Sequence, residues 1–134
     1  MKNIMIFLIS FFLVSCVMTK KSNYIKREYH KVTKLDSINN YYLIYTIKND
    51  SIFKIVSEKC YLNNCKKIKV GKSYSPKLVS MRSSVPSIGE LKILPVNYLD
   101  VKCFQFDENT QICKEEGIYD LYFTKDIKGL CLQQ

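Results

Sequence analysis

Residues Tyr41-Tyr42-Leu43-Ile44-Tyr45-Thr46-Ile47-Lys48, then Asn49-Asp50, then Ser51-Ile52-Phe53-Lys54-Ile55-Val56-Ser57 decide the fold. Both flanking runs are rich in aromatic and β-branched side chains, which pack well on a pleated surface. Asn and Asp tolerate positive φ at low cost, so the pair between the runs suits the two-residue turn of a β-hairpin. The stretch predicts two antiparallel strands joined by Asn49-Asp50.

Downstream, the chain keeps the same grammar. Cys60 and Cys65 enclose a turn-like Tyr61-Leu62-Asn63-Asn64. Lys67-Ile68-Lys69-Val70 alternates polar with apolar, the period of a half-buried strand, and Gly71 then predicts a bulge or sharp bend. Tyr74 to Met81 can continue as strand, with Pro76 suited to an edge. Arg82 to Gly89 reads as a loop, and Leu91-Lys92-Ile93-Leu94 as a short strand stopped by Pro95. Two further runs, Val101 to Phe106 and Gln111 to Lys114, flank Asp107-Glu108-Asn109-Thr110 as a second hairpin. Ile118-Tyr119-Asp120-Leu121-Tyr122-Phe123 is the last long strand. No segment shows sustained helical periodicity. Short strands at this spacing predict an all-β fold, a small antiparallel barrel or sandwich, with an OB-like barrel among the candidates.

Upstream of the hairpin, Val17 to Lys34 is polar and basic. Its first half reads as a tether, and Tyr24, Ile25, Tyr29 and Val32 offer a first strand in the second half, against the alternative of a solvated linker. Before it, Lys2 and an apolar run from Ile4 to Val14 lead into Leu13-Val14-Ser15-Cys16. As a helix that run spans roughly 16 Å, about half of a bilayer core, so it reads as a signal segment and not a permanent span.

Leu13-Val14-Ser15-Cys16 resembles the lipobox of bacterial lipoproteins. The resemblance implies removal of residues 1–15, a lipidated N-terminus and tether over 16–34, and a disulfide-containing β domain over 35–134. Cys16 would carry the acyl groups, palmitate among them, and two or three chains hold a protein firmly on a membrane. With its composition and lack of Trp, the chain resembles small lipoproteins of Bacteroidota type. Surface-exported members of that group carry acidic residues after the lipidated cysteine. Here Val17-Met18-Thr19-Lys20-Lys21 follows, which implies the periplasmic side of the envelope. The O-glycosylation signal of the group resembles Asp36-Ser37-Ile38 and Asp50-Ser51-Ile52, making Ser37 and Ser51 candidate sites.

Composition bounds the rest. With 134 residues, 47% of them apolar and 13% aromatic, the chain suits one small folded domain plus a tether. The net charge of +9 suits anionic lipid, polysaccharide or nucleic acid, and an envelope protein seldom meets the last. Lys66, Lys67, Lys69, Lys72 and Lys77 are the densest charge. Alternation would set Lys67 and Lys69 on one strand face, either merely solvated or an anionic-ligand surface.

Besides Cys16, five cysteines remain, which fits two disulfides and one free thiol in an oxidising compartment. A three-residue loop Asp107-Glu108-Asn109, with Asn109 left-handed, sets Cys103 opposite Cys113. A four-residue loop opposes Cys113 to Phe104 instead and favours Cys131 as a partner. The expected set is Cys103–Cys113 and Cys60–Cys65, with Cys131 free. Cys60-x4-Cys65 has no second close pair or nearby histidine, so no metal or cofactor is expected.

The chain carries no Gly-rich phosphate loop and no Gly-x-Ser-x-Gly elbow. Its one histidine, His30, lies near the tether and reads as exposed or half-buried. Glu115-Glu116 and Asp107-Glu108 read as solvated turns, and Tyr41, Tyr42, Tyr45 and Tyr74 as core packing in preference to a glycan or protein contact. The expectation is a non-enzymatic, membrane-anchored envelope lipoprotein with a binding or structural role, its partner another envelope protein. The alternatives are a binder of lipopolysaccharide or glycan through the lysines, and a small inhibitor or immunity protein.

Overall fold

The computed structural model describes residues 27–83, 87–88, 91–92 and 101–133. Cys16, the signal segment and the start of the tether lie outside the described residues, as do Tyr24, Ile25 and the Ile93-Leu94 end of the expected short strand. The chain runs through β1 (His30–Ile38), β2 (Tyr41–Lys48), β3 (Ser51–Glu58), β4 (Lys66–Lys67), β5 (Ser73–Tyr74) and β6 (Val79–Ser80). A 3-10 turn at Met81–Ser83 follows, then β7 (Ser87–Ile88), β8 (Leu91–Lys92), β9 (Cys103–Asp107) and β10 (Thr110–Cys113). The last strands are β11 (Ile118–Phe123), β12 (Ile127–Lys128) and β13 (Cys131–Leu132).

The fold is all-β, as the sequence predicts, and its main sheet curls into a half-barrel. That sheet has the order β5-β1-β2-β3-β11-β6. Asn49 and Asp50 both take positive φ, 46° and 60°, and Lys48 pairs with Ser51 across them. This is the predicted turn. Its left-handed residues match the twist of the strands they join. A second two-residue turn at Asn39-Asn40 joins β1 to β2, with Ile38 opposite Tyr41. One expectation changes here. β11 lies parallel to β3, and β5 and β6, which come between them in the chain, join the two edges of the same sheet, so the architecture is mixed and not purely antiparallel.

Both faces of the central strands are buried. Val32, Ile44 and Ile55 point to one side and meet Ile68, Tyr74 and Ile127. Leu43, Tyr45 and Val56 point to the other and meet Ile112, Ile118 and Leu121, with Phe104 and Phe106 packed against them. Strands β12, β13 and β4 form the small sheet on the first side, and the β9–β10 hairpin lies on the second. The largely apolar runs of β2 and β3, broken inside only by Thr46 and Lys54, follow from this, since a strand covered twice needs no polar face.

The N-terminal boundary moves. β1 begins at His30, so the expected break between residues 34 and 35 falls inside a strand, and His30 is buried at 3% exposure. It pairs with Tyr74, places Nδ1 3.4 Å from Thr46 Oγ1, and meets the Phe53 ring edge-on at 4.8 Å. The strand expected at Lys67–Val70 stops at Lys67. Ile68 alone turns into the core, and Gly71 at φ +82° carries the bend. The strand expected from Tyr74 to Met81 is present only at its ends, β5 and β6, and Pro76 between them is buried.

Cys103 and Cys113 are bonded, as expected. The route differs. Asp107 pairs with Thr110 across a two-residue turn, Asn109 is not left-handed, and a bulge at Phe106 restores the register. Lys114 N–H donates to Lys102 O at 2.7 Å, which leaves 103/113 as the non-hydrogen-bonded pair that a bridge requires. The other expectation fails: Cys65 is bonded to Cys131, and Cys60 is free. The cause is the pairing of β13 with β4, Cys131 opposite Lys67, which brings Cys131 beside Cys65. Non-reducing peptide mapping is expected to join Cys65 to Cys131 and Cys103 to Cys113, with Cys60 alkylated. A Cys60–Cys65 peptide would overturn this connectivity.

Candidate functional site

A bulge in β1 at Thr33 creates the candidate site. Register shifts between Val32 and Lys34, so Lys34 comes opposite Tyr45. Tyr45 lies opposite Lys54 on β3, and Lys54 opposite Leu121 on β11. Residues opposite one another share a sheet face, so Lys34, Tyr45, Lys54 and Leu121 form one row across four strands. The two ammonium groups flank the phenol, Lys34 Nζ at 5.0 Å and Lys54 Nζ at 5.5 Å from the ring centroid, within cation–π range. The β9–β10 hairpin covers part of this face. The space left between it and β1 is a cleft of about 400 Å³, lined by Lys34, Asp36, Tyr45, Lys54, Gln111 and Glu115 among others.

Lys54 is the unusual member. Its side chain is 4% exposed, and a buried ammonium survives only with a countercharge and filled donor positions. Lys54 Nζ donates to Glu115 Oε1 at 2.5 Å and to Cys113 O at 3.0 Å. Tyr45 OH donates to the same Glu115 oxygen at 2.7 Å. The hydrogen bond from Lys54, then that from Tyr45, holds the Glu115 carboxyl below its usual range despite opposing desolvation. Burial, then the bond to Glu115, pushes the Tyr45 phenol well above its usual range. At the mouth, Lys34 pairs with Asp36 at 2.8 Å, raising the amine and lowering the acid. Near neutral pH the cleft therefore holds a neutral phenol between two cations, with two carboxylates matched to them.

Glu115 is exposed, as the sequence predicts, but its carboxylate is tied to Lys54, a buried charge that the reading of the sequence does not single out. A lone lysine inside Ile-Phe-Lys-Ile-Val was the available signal, because a charge in a strand covered on both faces must have a partner. Asp120 repeats the theme in β11. It is fully buried, takes a hydrogen bond from Ser80 Oγ, and takes others from the backbone N–H of Leu121 at 2.8 Å and of Arg82 at 3.2 Å. Arg82 lies over the Tyr119 ring at 4.4 Å, so this second cluster ties β6 and the 3-10 turn to β11.

The lysine set expected on one strand face is split. Lys66 and Lys67 lie on β4, and Lys69 and Lys72 in the turn after it, all four exposed. Val70, expected on the buried side, is 55% exposed. Tyr45 and Tyr74 are buried, and Tyr41 and Tyr42 half-buried. Ser37 is exposed on β1 beside the cleft, and Ser51 is exposed as the first residue of β3, directly after the turn. Among the described residues no group of three or more His, Cys, Asp or Glu is placed to hold a metal ion.

Two outcomes follow from these buried charges. Glu115→Gln, which leaves the Lys54 ammonium without a countercharge, should cost about 2–3 kcal/mol in urea unfolding. That is less than a fully buried pair loses, because Glu115 is half solvated. Lys54→Met should cost less than about 1 kcal/mol, since the freed carboxylate can hydrate. Equal losses in both variants would contradict the assigned burial. His30 supplies the second test. Burial, then Lys48, lowers its pKa below the usual 6.5, with Glu28 opposing. The unfolded chain thus takes up the proton first, so stability is present above pH 6.5 and lost as pH falls beneath it. His30→Gln should flatten urea-unfolding stability between pH 7 and about 5.

No known protein family, curated protein or solved structure matches the chain.

Proposed function

We propose that the protein is a membrane-anchored lipoprotein of the bacterial envelope, facing the periplasm, whose β domain binds another envelope component without catalysing a reaction. The cleft carries this reading. Its ionised groups are matched to one another, and its phenol is pushed above, and its half-solvated Glu115 carboxyl held below, their usual ranges. General acid–base catalysis works best with a group whose pKa lies near the working pH. Lys34, Asp36 and Gln111 are exposed at the mouth, where their remaining donors and acceptors suit a partner's polar groups. Leu13-Val14-Ser15-Cys16 supports the anchor. The two bridges, Cys65–Cys131 and Cys103–Cys113, support an oxidising compartment.

The test labels cells with radioactive palmitate. Wild type should incorporate label and partition into detergent, and Cys16→Ser should do neither. Label retained by Cys16→Ser would overturn the anchor. In the same envelopes, a zero-length carboxyl–amine crosslinker should join Asp36 or Lys34 to a partner. Adducts that survive Lys34→Gln/Asp36→Asn unchanged would remove the cleft from the binding surface.

A further inference from the structure

The edge where the chain enters the domain carries both charge and apolar surface. β5 pairs along the start of β1, with Lys31 opposite Ser73 and His30 opposite Tyr74. The turn before β5 is held to the same edge. Val32 N–H donates to Lys72 O at 2.9 Å, and Gly71 N–H donates to Val32 O at 2.8 Å. Tyr74 OH accepts the Lys69 N–H at 3.0 Å, so the β4–β5 turn is fixed against the strand that follows it. These bonds bring Lys31, Lys69 and Lys72 to one edge, and Arg27 precedes the strand by three residues; all four are exposed. Among the described residues no carboxylate makes an ion pair with any of the four. In the chain, Tyr29 lies between Arg27 and Lys31 and is 58% exposed, and Val70 lies between Lys69 and Lys72 and is 55% exposed. Singly exposed apolar residues need no explanation. Here they alternate with unpaired cations at the root of the N-terminal segment.

We infer that this edge is the membrane-facing surface of the domain and lies against anionic phospholipid headgroups. The inference rests on the anchor proposed above. Cys16 precedes Arg27 by eleven residues, a reach of at most about 40 Å fully extended and about 20 Å as a flexible coil. The edge at the root of that segment is the first part of the domain to meet the bilayer. Charges within about 8 Å of the surface are attracted at physiological salt. Each such cation favours the docked orientation about fivefold. A tyrosine ring suits the headgroup level, where its apolar body and polar tip are both accommodated.

The experiment reconstitutes the full protein, with the N-terminus it carries in its own envelope, into vesicles of phosphatidylcholine alone or with phosphatidylglycerol. An amine-reactive acetylating reagent is added, and each lysine is followed by mass spectrometry. Lys31, Lys69 and Lys72 should react at least about fivefold more slowly in the anionic vesicles. Lys59, whose backbone bonds to the far turn at Asn40, should react equally in both. The contrast should vanish near 1 M salt, where screening acts over about 3 Å. Lys69→Gln/Lys72→Gln should restore fast acetylation of Lys31. Equal rates for Lys31, Lys69 and Lys72 in the two vesicles would overturn the inference, whether or not Cys16 is acylated. Protection produced by lipid-free anionic polysaccharide and not by the vesicles would overturn it in favour of a glycan. The intact mass reports acylation of Cys16 separately. An unacylated protein that still shows the vesicle contrast would overturn the anchor and leave the edge standing.

Discussion

A pair of strands that is apolar on both faces cannot lie on the outside of anything. β2 and β3 are such a pair, with Leu43, Tyr45 and Val56 on one side and Ile44 and Ile55 on the other. The sheet they centre must be covered twice, and a chain this short has only thin covers to offer. One is the small sheet of β12, β13 and β4, and the other is the β9–β10 hairpin. A two-stranded hairpin is marginal in water on its own. Each cover contains one disulfide, Cys65–Cys131 in the first and Cys103–Cys113 in the second. On the chain-entropy account these bridges add about 4 and about 3 kcal/mol. Each sits in the layer least able to hold its own shape.

The same double covering makes charge inside the sheet consequential. Lys54 interrupts the apolar run of β3 on the side that the hairpin covers. The residue that neutralises it, Glu115, follows directly after that hairpin. The ion pair thus joins the central sheet to its second cover at a fixed place, and Cys113 O adds a further bond there. A methionine would fill the space with little loss of stability. What a methionine would not do is hold the hairpin at this register and leave an open, polar cleft next to Tyr45. The cluster is better understood as a device for specificity than for stability.

The hairpin at Asn49-Asp50, the extents of β2 and β11 and the all-β class were legible because local chemistry alone determines them. Two asparagine-type residues between β-branched runs leave little choice of turn. The small sheet was not legible. Its strands are two residues long, and they exist because β13 returns to β4 across a separation of 66 residues. No local period encodes that return. The register of Cys103 with Cys113 was reached by the wrong path, since a shorter turn and a bulge shift the chain by one residue each in opposite senses. The cleft was invisible for a similar reason. Lys34 and Tyr45 face each other only because of the bulge at Thr33, which leaves no mark in composition.

The cysteine that stayed free shows how distant pairing prevails over proximity in sequence. Cys60 and Cys65 are five residues apart, and closing so small a loop would constrain the unfolded chain by only about 2 kcal/mol. Joining Cys65 to Cys131 constrains it by about 4 kcal/mol and pins β13 to β4 as well. Ile68 N–H donating to Leu130 O at 2.7 Å holds the same two segments together. Cys60 is meanwhile committed elsewhere. Gly129, at φ +58° between β12 and β13, lies so close that a Cβ there would stand 2.7 Å from Cys60 O and 3.2 Å from Cys60 N. Both are backbone atoms, so the contact has no flexible side chain to relieve it, and only glycine fits. To reach Cys65, Cys60 would have to leave this turn, and Cys131 would lose its partner. Asn64, just before Cys65, takes positive φ, 59°, which asparagine tolerates at low cost. The long bridge thus goes with the backbone pairing of β13 and β4, and the tight fit of Gly129 against Cys60 belongs to the same packing.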